Sequence, residues 1–167
     1  MKKLILALVA VVATINVALA DDHRSHLSLG TNILYERGWD ATLSYEYTTT
    51  YHNAWEFFGN VYLKWDDCES CGHICPDSFW KNYRTWMVGA TYKPCVVRNR
   101  NNHGNVRAGF MLGSDTDRFI GGFTLGYEHT YSLRGGWELF WNVKTDLVIK
   151  GEDLFRTGVG IGVKLPL

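Results

Sequence analysis

Hydrophobic and polar residues alternate along most of the chain, and the alternation is most regular over residues 137–167. Between Trp137 and Ile149 the odd positions are mostly large and apolar, whereas the even positions include Glu, Asn, Lys and Asp. The pattern breaks at 150–153 and then continues to Leu167, with arginine, glycine and lysine at the even positions. A period of two places successive side chains on opposite faces of a β-strand. The segment therefore predicts a β-hairpin with one apolar face and one face of charged residues and glycines.

The same alternation predicts a chain made of eight strands, and they are expected at 26–36, 40–49, 54–65, 84–97, 105–114, 119–131, 137–149 and 154–167. Most connections carry glycine, asparagine or aspartate, which favour turns. No helical pattern separates the strands, so each should pair antiparallel with its neighbours in sequence. The expected fold is all-β: an eight-stranded antiparallel up-and-down barrel that forms a single domain over residues 21–167.

Alternation does not decide which face of the barrel is inside. A soluble barrel of the lipocalin type buries its apolar face, whereas an outer-membrane barrel turns that face to lipid and packs polar side chains inside. The polar face carries many glycines, which weaken a solvent-exposed strand but make space inside a narrow barrel. They are Gly30, Gly89, Gly109, Gly113, Gly122, Gly126, Gly158, Gly160 and Gly162. This favours the membrane barrel with a packed polar interior, and the soluble barrel is the alternative.

The charged residues of the polar face are balanced, six acids against six bases. A buried charge without a partner is costly, so this balance is typical of an enclosed network. The predicted lumenal network consists of Glu36, Glu46, Glu56, Lys64, Lys93, Arg107, Glu128, Glu138, Lys144, Asp146, Arg156 and Lys164. Aromatic residues near the strand ends fit the girdles at the two membrane surfaces.

The first residues predict export. Lys2 and Lys3 precede an apolar run at 4–19, which ends in Ala-Leu-Ala at 18–20. This pattern predicts a signal peptide cleaved after Ala20; a retained anchor is the alternative, although the run is shorter than the ~20 residues of a spanning helix. The expected location is the outer membrane of a Gram-negative bacterium, with outer-membrane lipid as a partner. An even strand number puts both chain ends in the periplasm and makes 66–83 the longest external loop.

Four cysteines offer a second kind of site. Cys68, Cys71 and Cys75 lie in the predicted external loop together with His73. An exported chain meets an oxidising compartment, which favours one disulfide among the three loop cysteines. Zinc bound by the same cysteines and His73, or free thiols, are the alternatives. Cys95 is expected to be unpaired or bonded to a partner protein, because it lies near the end of its strand that is far from the loop cysteines.

The sequence also lacks strong dinucleotide-binding, enzymatic and nucleic-acid-binding features, and none of the weak ones changes the prediction. The glycines at 158, 160 and 162 lack the spacing and the following helix of a dinucleotide site. His129 and Ser132 near a strand end would suit a lipid-modifying barrel enzyme, but a single His among interfacial aromatic residues is more often part of a girdle. The balance of 17 basic and 17 acidic residues gives no support for nucleic-acid binding, which needs a basic face. No catalytic residue, cofactor or small-molecule substrate is predicted.

The last third of the chain resembles the TraO proteins of conjugative transposons in the Bacteroidetes. The similarity rests on FIGGFTLGYE at 119–128, WELFWNVK at 137–144 and FRTGVGIGVK at 155–164, with looser similarity over 54–64 and 83–113. The resemblance implies a non-enzymatic outer-membrane accessory of a type IV-like DNA transfer apparatus, with other transfer proteins as partners. A general surface, adhesion or membrane-stabilising barrel is the competing interpretation.

Overall fold

The structure, a computed structural model, describes residues 24–65, 67, 72, 83–115 and 117–167. Within them the chain forms antiparallel strands and two single 3₁₀ turns, at Thr50–His52 and Arg134–Gly136. The strands are β1 (Arg24–Leu34), β2 (Gly38–Thr48), β3 (Ala54–Lys64), β4 (Arg84–Lys93), β5 (Cys95–Arg98), β6 (Asn102–Ser114), β7 (Phe119–Ser132), β8 (Glu138–Ile149) and β9 (Phe155–Pro166). No helix in these ranges is long and apolar enough to cross a membrane. The predicted signal peptide at 1–20 lies outside the described residues.

The sheet closes on itself. β1 pairs with both β2 and β9, and the other strands pair with their neighbours in sequence except at β4, which pairs with β6 instead of β5. Closure removes the unpaired edges that an open sheet would leave.

β4 and β5 are two parts of one barrel strand, because both pair with β6. Pro94 separates them: it has no N–H to donate to the ladder, although its carbonyl accepts from the Val106 N–H at 3.1 Å. The register then shifts between Cys95 and Val97. The nine strands thus make eight barrel strands, which confirms the predicted fold class and corrects the expectation of an unbroken strand at 84–97.

The barrel has two different rims. The terminal rim holds the start of β1, the end of β9 and the turns at 49–53, 99–101 and 133–137. The loop rim holds the turns at 35–37, 115–118 and 150–154 and both ends of the 65–83 connection. In the 115–118 turn, Asp115 Oδ1 accepts from the Arg118 N–H at 2.8 Å, and this hydrogen bond holds the Asp115 pKa below its usual value.

The wall of the barrel is inverted relative to a soluble protein. Large apolar side chains point outward and are exposed, for example Val159 at 60% and Ile161 at 66%. On inward positions of the same strand, Arg156 and Lys164 are each 1% exposed. The interior is not polar throughout, because an apolar layer lies in it. That layer consists of Phe58, Met87, Met111, Ile120 and Val148.

Interior glycines make room for neighbouring side chains, and at one place the neighbour is an aromatic ring. A Cβ on Gly162 would overlap Cζ of Phe140 and would lie 2.5 Å from the carbonyl oxygen of Leu29. A Cβ on Gly30 would lie 3.1 Å from the same ring carbon. The two glycines are partners in the β1–β9 ladder, so the Phe140 ring packs over a gap in the wall.

Gly162→Ala is expected to destabilise the barrel by about 1–3 kcal/mol, because the new methyl group meets backbone as well as the ring. Gly59→Ala is the matched control, since its Cβ would have no neighbour closer than 4.0 Å. In that position the substitution should be neutral or stabilise by up to about 1 kcal/mol. Urea unfolding in detergent measures both, and similar effects for the two variants would contradict the packing described.

Candidate functional site

The lumen contains a central ion cluster of three acids and three bases drawn from six strands. Its members are Glu46 (β2), Glu56 (β3), Lys93 (β4), Arg107 (β6), Glu128 (β7) and Lys164 (β9). All face inward because they share the lumenal face of their alternating strands.

Glu128 is the acid that contacts all three bases. Its Oε1 lies 2.6 Å from Lys93 Nζ and 2.8 Å from Lys164 Nζ. Its Oε2 lies 3.8 Å from Arg107 Nη1. Glu46 adds a second connection, since it contacts Lys93 and lies 2.8 Å from Lys164 Nζ. Contacts between side chains of distant strands therefore cross the lumen.

Glu56 completes the cluster on β3. It accepts from Arg107 Nη2 at 2.8 Å and lies 3.6 Å from Lys93 Nζ. Glu46 and Glu56 are direct cross-strand neighbours, an arrangement of like charges that destabilises a sheet by itself. Lys93 contacts both carboxylates and offsets their repulsion.

The burial of this cluster makes the pairing essential. Its six side chains are between 1% and 8% exposed. Moving one ion out of water costs several kcal/mol, which only well-placed partners offset. Each member contacts at least two residues of opposite charge. The cluster is therefore held together by ion pairs that shield its charges from water.

A second ion cluster lies nearer the loop rim. Lys144 Nζ is 2.6 Å from Asp40 Oδ2 and 2.9 Å from Asp146 Oδ2. Asn32 Nδ2 donates to the other oxygen of Asp40 at 2.6 Å. Asp40 was not among the predicted network residues, although it shares the lumenal face of β2 with Glu46. The same alternation could have found it.

Arg156 is buried but forms no ion pair in the described part of the chain, although Asp146 lies opposite it in the β8–β9 ladder. Its Nη1 donates to Thr85 Oγ1 at 3.0 Å. Its guanidinium carbon lies 4.0 Å from the centre of the Tyr62 ring. A desolvated cation–π contact contributes about 2 kcal/mol, so the aromatic ring takes the role of a counter-ion.

The turn between β8 and β9 folds over this end of the lumen. Asp153 accepts from the Tyr62 hydroxyl at 3.2 Å and from Lys64 Nζ at 2.8 Å. Glu152 lies 3.1 Å from the same Lys64 nitrogen, and its N–H donates to the Tyr83 hydroxyl at 3.1 Å. Burial raises the pKa of the Tyr83 phenol.

Two residues of the predicted network lie outside the lumen. Glu36 follows the end of β1, and its carboxylate accepts from the Thr157 N–H at 3.1 and 3.2 Å. Lys64 is the last residue of β3 and pairs with acids of the β8–β9 turn. Glu36 was counted as lumenal because the predicted strand ran two residues beyond Leu34, whereas Lys64 lies within β3 at its loop-rim end.

The remaining ten predicted residues are all buried in the barrel. With Asp40 added, the buried charged residues of the described chain comprise six acids and five bases. Glu138 lies near the terminal rim opposite Lys164 in the β8–β9 ladder and accepts from the Ser132 hydroxyl at 3.1 Å.

The structure does not join the other predicted candidates, His129 and Ser132, into one site. The His129 ring lies 2.9 Å from the Tyr127 hydroxyl through Nδ1 and stacks on Trp141, whereas Ser132 binds Glu138. Cys95 has a free thiol. No group of three potential metal ligands occurs among the described residues. Cys68, Cys71, His73 and Cys75 lie outside them, so the disulfide and the zinc alternative stay predictions.

The sequence matches no protein-family model and no curated protein. The structure is similar to two solved outer-membrane proteins. A major outer membrane protein of Thermus thermophilus is 11% identical, with 88% of this chain and 100% of that chain covered and a TM-score of 0.57. Neisserial surface protein A is 12% identical, with 87% and 96% covered and a TM-score of 0.58. At these identities the likeness concerns the fold, which is that of an outer-membrane β-barrel.

Proposed function

We propose that this protein is an integral outer-membrane barrel without a conducting pore or an enzymatic site. The observation that carries the proposal is the inversion of its wall, with apolar side chains outside and a closed ionic interior. In water such a surface would be an aggregation hazard, since exposed apolar patches of this extent mark membrane or partner contacts. A lipid bilayer covers the whole outer wall at once.

A closed barrel acts through its rims. Because paired side chains fill the lumen, solutes have no open path, and any partner must approach the turns, the loops or the outer wall. We infer that the external partner surface is the loop rim, including the 66–83 loop, and that the terminal rim faces the periplasm.

We further propose that this barrel serves as an accessory of a conjugative, type IV-like transfer apparatus. The support is the TraO-like sequence at 119–164, which falls on β7, β8 and β9. The role is non-enzymatic: the barrel anchors or stabilises other transfer proteins in the outer membrane.

Deleting the gene is expected to lower the conjugation frequency of a donor strain, and the wild-type gene should restore it. A variant in which residues 66–82 are replaced by a short Gly-Ser turn should reach the membrane but fail to restore transfer. Replacing the 99–101 turn of the terminal rim in the same way is the matched control, and that variant should still restore transfer. An unchanged conjugation frequency in the deletion strain would remove the transfer role and leave a general surface barrel.

A further inference from the structure

A small cavity lies in the lumen between the two ion clusters. Glu56 and Arg107 line it from the central cluster, and Lys144 and Asp146 line it from the second. The cavity leaves about 20 Å³ for the centre of a water molecule. One ordered water needs on the order of 10–15 Å³ of such space and two to four polar partners.

Three buried polar atoms belong to residues that line this cavity and have no hydrogen-bond partner among the described residues. They are the Oδ1 atoms of Asn32 and Asn142 and Nε of Arg107. Leaving a buried polar group unpaired is costly. The other groups of Asn32 and Arg107 are already used, since Asn32 Nδ2 binds Asp40 and Arg107 Nη2 binds Glu56.

The two asparagines converge over a glycine. Gly160 pairs with Asn32 on one side and with Asn142 on the other. A Cβ on Gly160 would overlap Asn32 Oδ1, so this oxygen occupies the space that the missing side chain leaves. The unpaired oxygen therefore lies over the strand that separates the two residues.

We propose that this cavity is a binding site for one ordered water molecule, which joins the two ion clusters into a single hydrogen-bonded interior. The water accepts from Arg107 Nε–H and donates to the two asparagine oxygens. Only a ligand that both donates and accepts satisfies this set. A monovalent cation cannot accept from Arg107, and an anion cannot bind two amide oxygens.

The test is nuclear magnetic resonance of the full barrel in detergent micelles. Rotating-frame cross peaks between water and the Arg107 Nε proton report a bound water, because their sign separates dipolar contact from proton exchange. The cross peak is expected in the wild-type protein. It should be lost in Asn142→Leu, which removes one partner and fills the space. It should remain in Asn60→Leu, the matched control, because Asn60 also has an unpaired buried oxygen but does not line this cavity.

The wild-type spectrum tests the proposal even if Asn142→Leu fails to fold, because the absence of the water cross peak from that spectrum overturns the proposal. A second measurement separates water from a cation. Thallium soaked into crystals should give no anomalous density in the cavity. Density there, with a melting temperature that rises in potassium but not in choline chloride, would replace the water by a monovalent cation and contradict the assignment.

Discussion

Val159→Arg is expected to destabilise the barrel in lipid vesicles by about 2–4 kcal/mol, the cost of arginine on a lipid-facing strand near the bilayer midplane. Val159 points outward from β9 and is 60% exposed, so an arginine there meets no protein core. The cost arises from the bilayer alone. Denaturant unfolding of the refolded protein in vesicles measures it.

Leu154→Arg is the matched control for this substitution. Leu154 is similarly exposed, at 54%, but it lies in the β8–β9 turn beyond the strands. Its change in stability should stay within about ±0.5 kcal/mol, as for an ordinary surface position. If Val159→Arg were equally mild, the outer wall would not face lipid, because an exposed valine in water tolerates arginine.

Glu128→Gln should be the most damaging conservative change in the lumen, with a loss of about 3–5 kcal/mol in the free energy of unfolding. Glutamine keeps the size of the side chain but removes the one charge that contacts Lys93, Arg107 and Lys164 together. Three buried cations are then left with two carboxylates. Urea unfolding in detergent micelles provides the comparison.

Two further variants show whether the loss of charge causes the loss of stability in Glu128→Gln. Glu152→Gln breaks the half-exposed contact with Lys64 at the loop rim and should cost only about 0–1 kcal/mol. Glu128→Gln combined with Lys164→Met removes one acid and one base. The double variant should lose less stability than the sum of its single changes, with a coupling of about 0.5–3 kcal/mol. Strict additivity would show that these two charges do not stabilise each other.

Local alternation was sufficient to predict the barrel. Each strand needed only its own period of two, and the polar face of β9 identified Arg156 and Lys164 as inward residues before any pairing was known. Strand ends were less accurate. Glu36 continues the alternation two residues beyond β1, but its carboxylate accepts from the Thr157 N–H at the loop rim. Lys64 is the last residue of β3, and its hydrogen bond to Asp153 directs it to the loop rim instead of the lumenal ion clusters.

The partners inside the lumen were beyond the reach of the sequence. Four strands bring together Glu46, Lys93, Glu128 and Lys164 across the barrel. The position of each side chain along the barrel axis depends on the register and stagger of the whole sheet. Alternation assigns a residue to a face of the sheet but does not give its position along that axis. The stacking of Arg156 on Tyr62 was missed for a different reason. A balance of charges in the sequence considers only acids as partners of a base, so it does not identify an aromatic partner.

Whether the outer wall faces lipid is tested most directly by the electrophoretic mobility of the protein in fractionated cells, with and without heating. An integral outer-membrane barrel should stay in the outer-membrane fraction after a carbonate wash, and its unheated band should run at a different position from the boiled one. A soluble periplasmic band with one mobility under both conditions would contradict the lipid-facing wall.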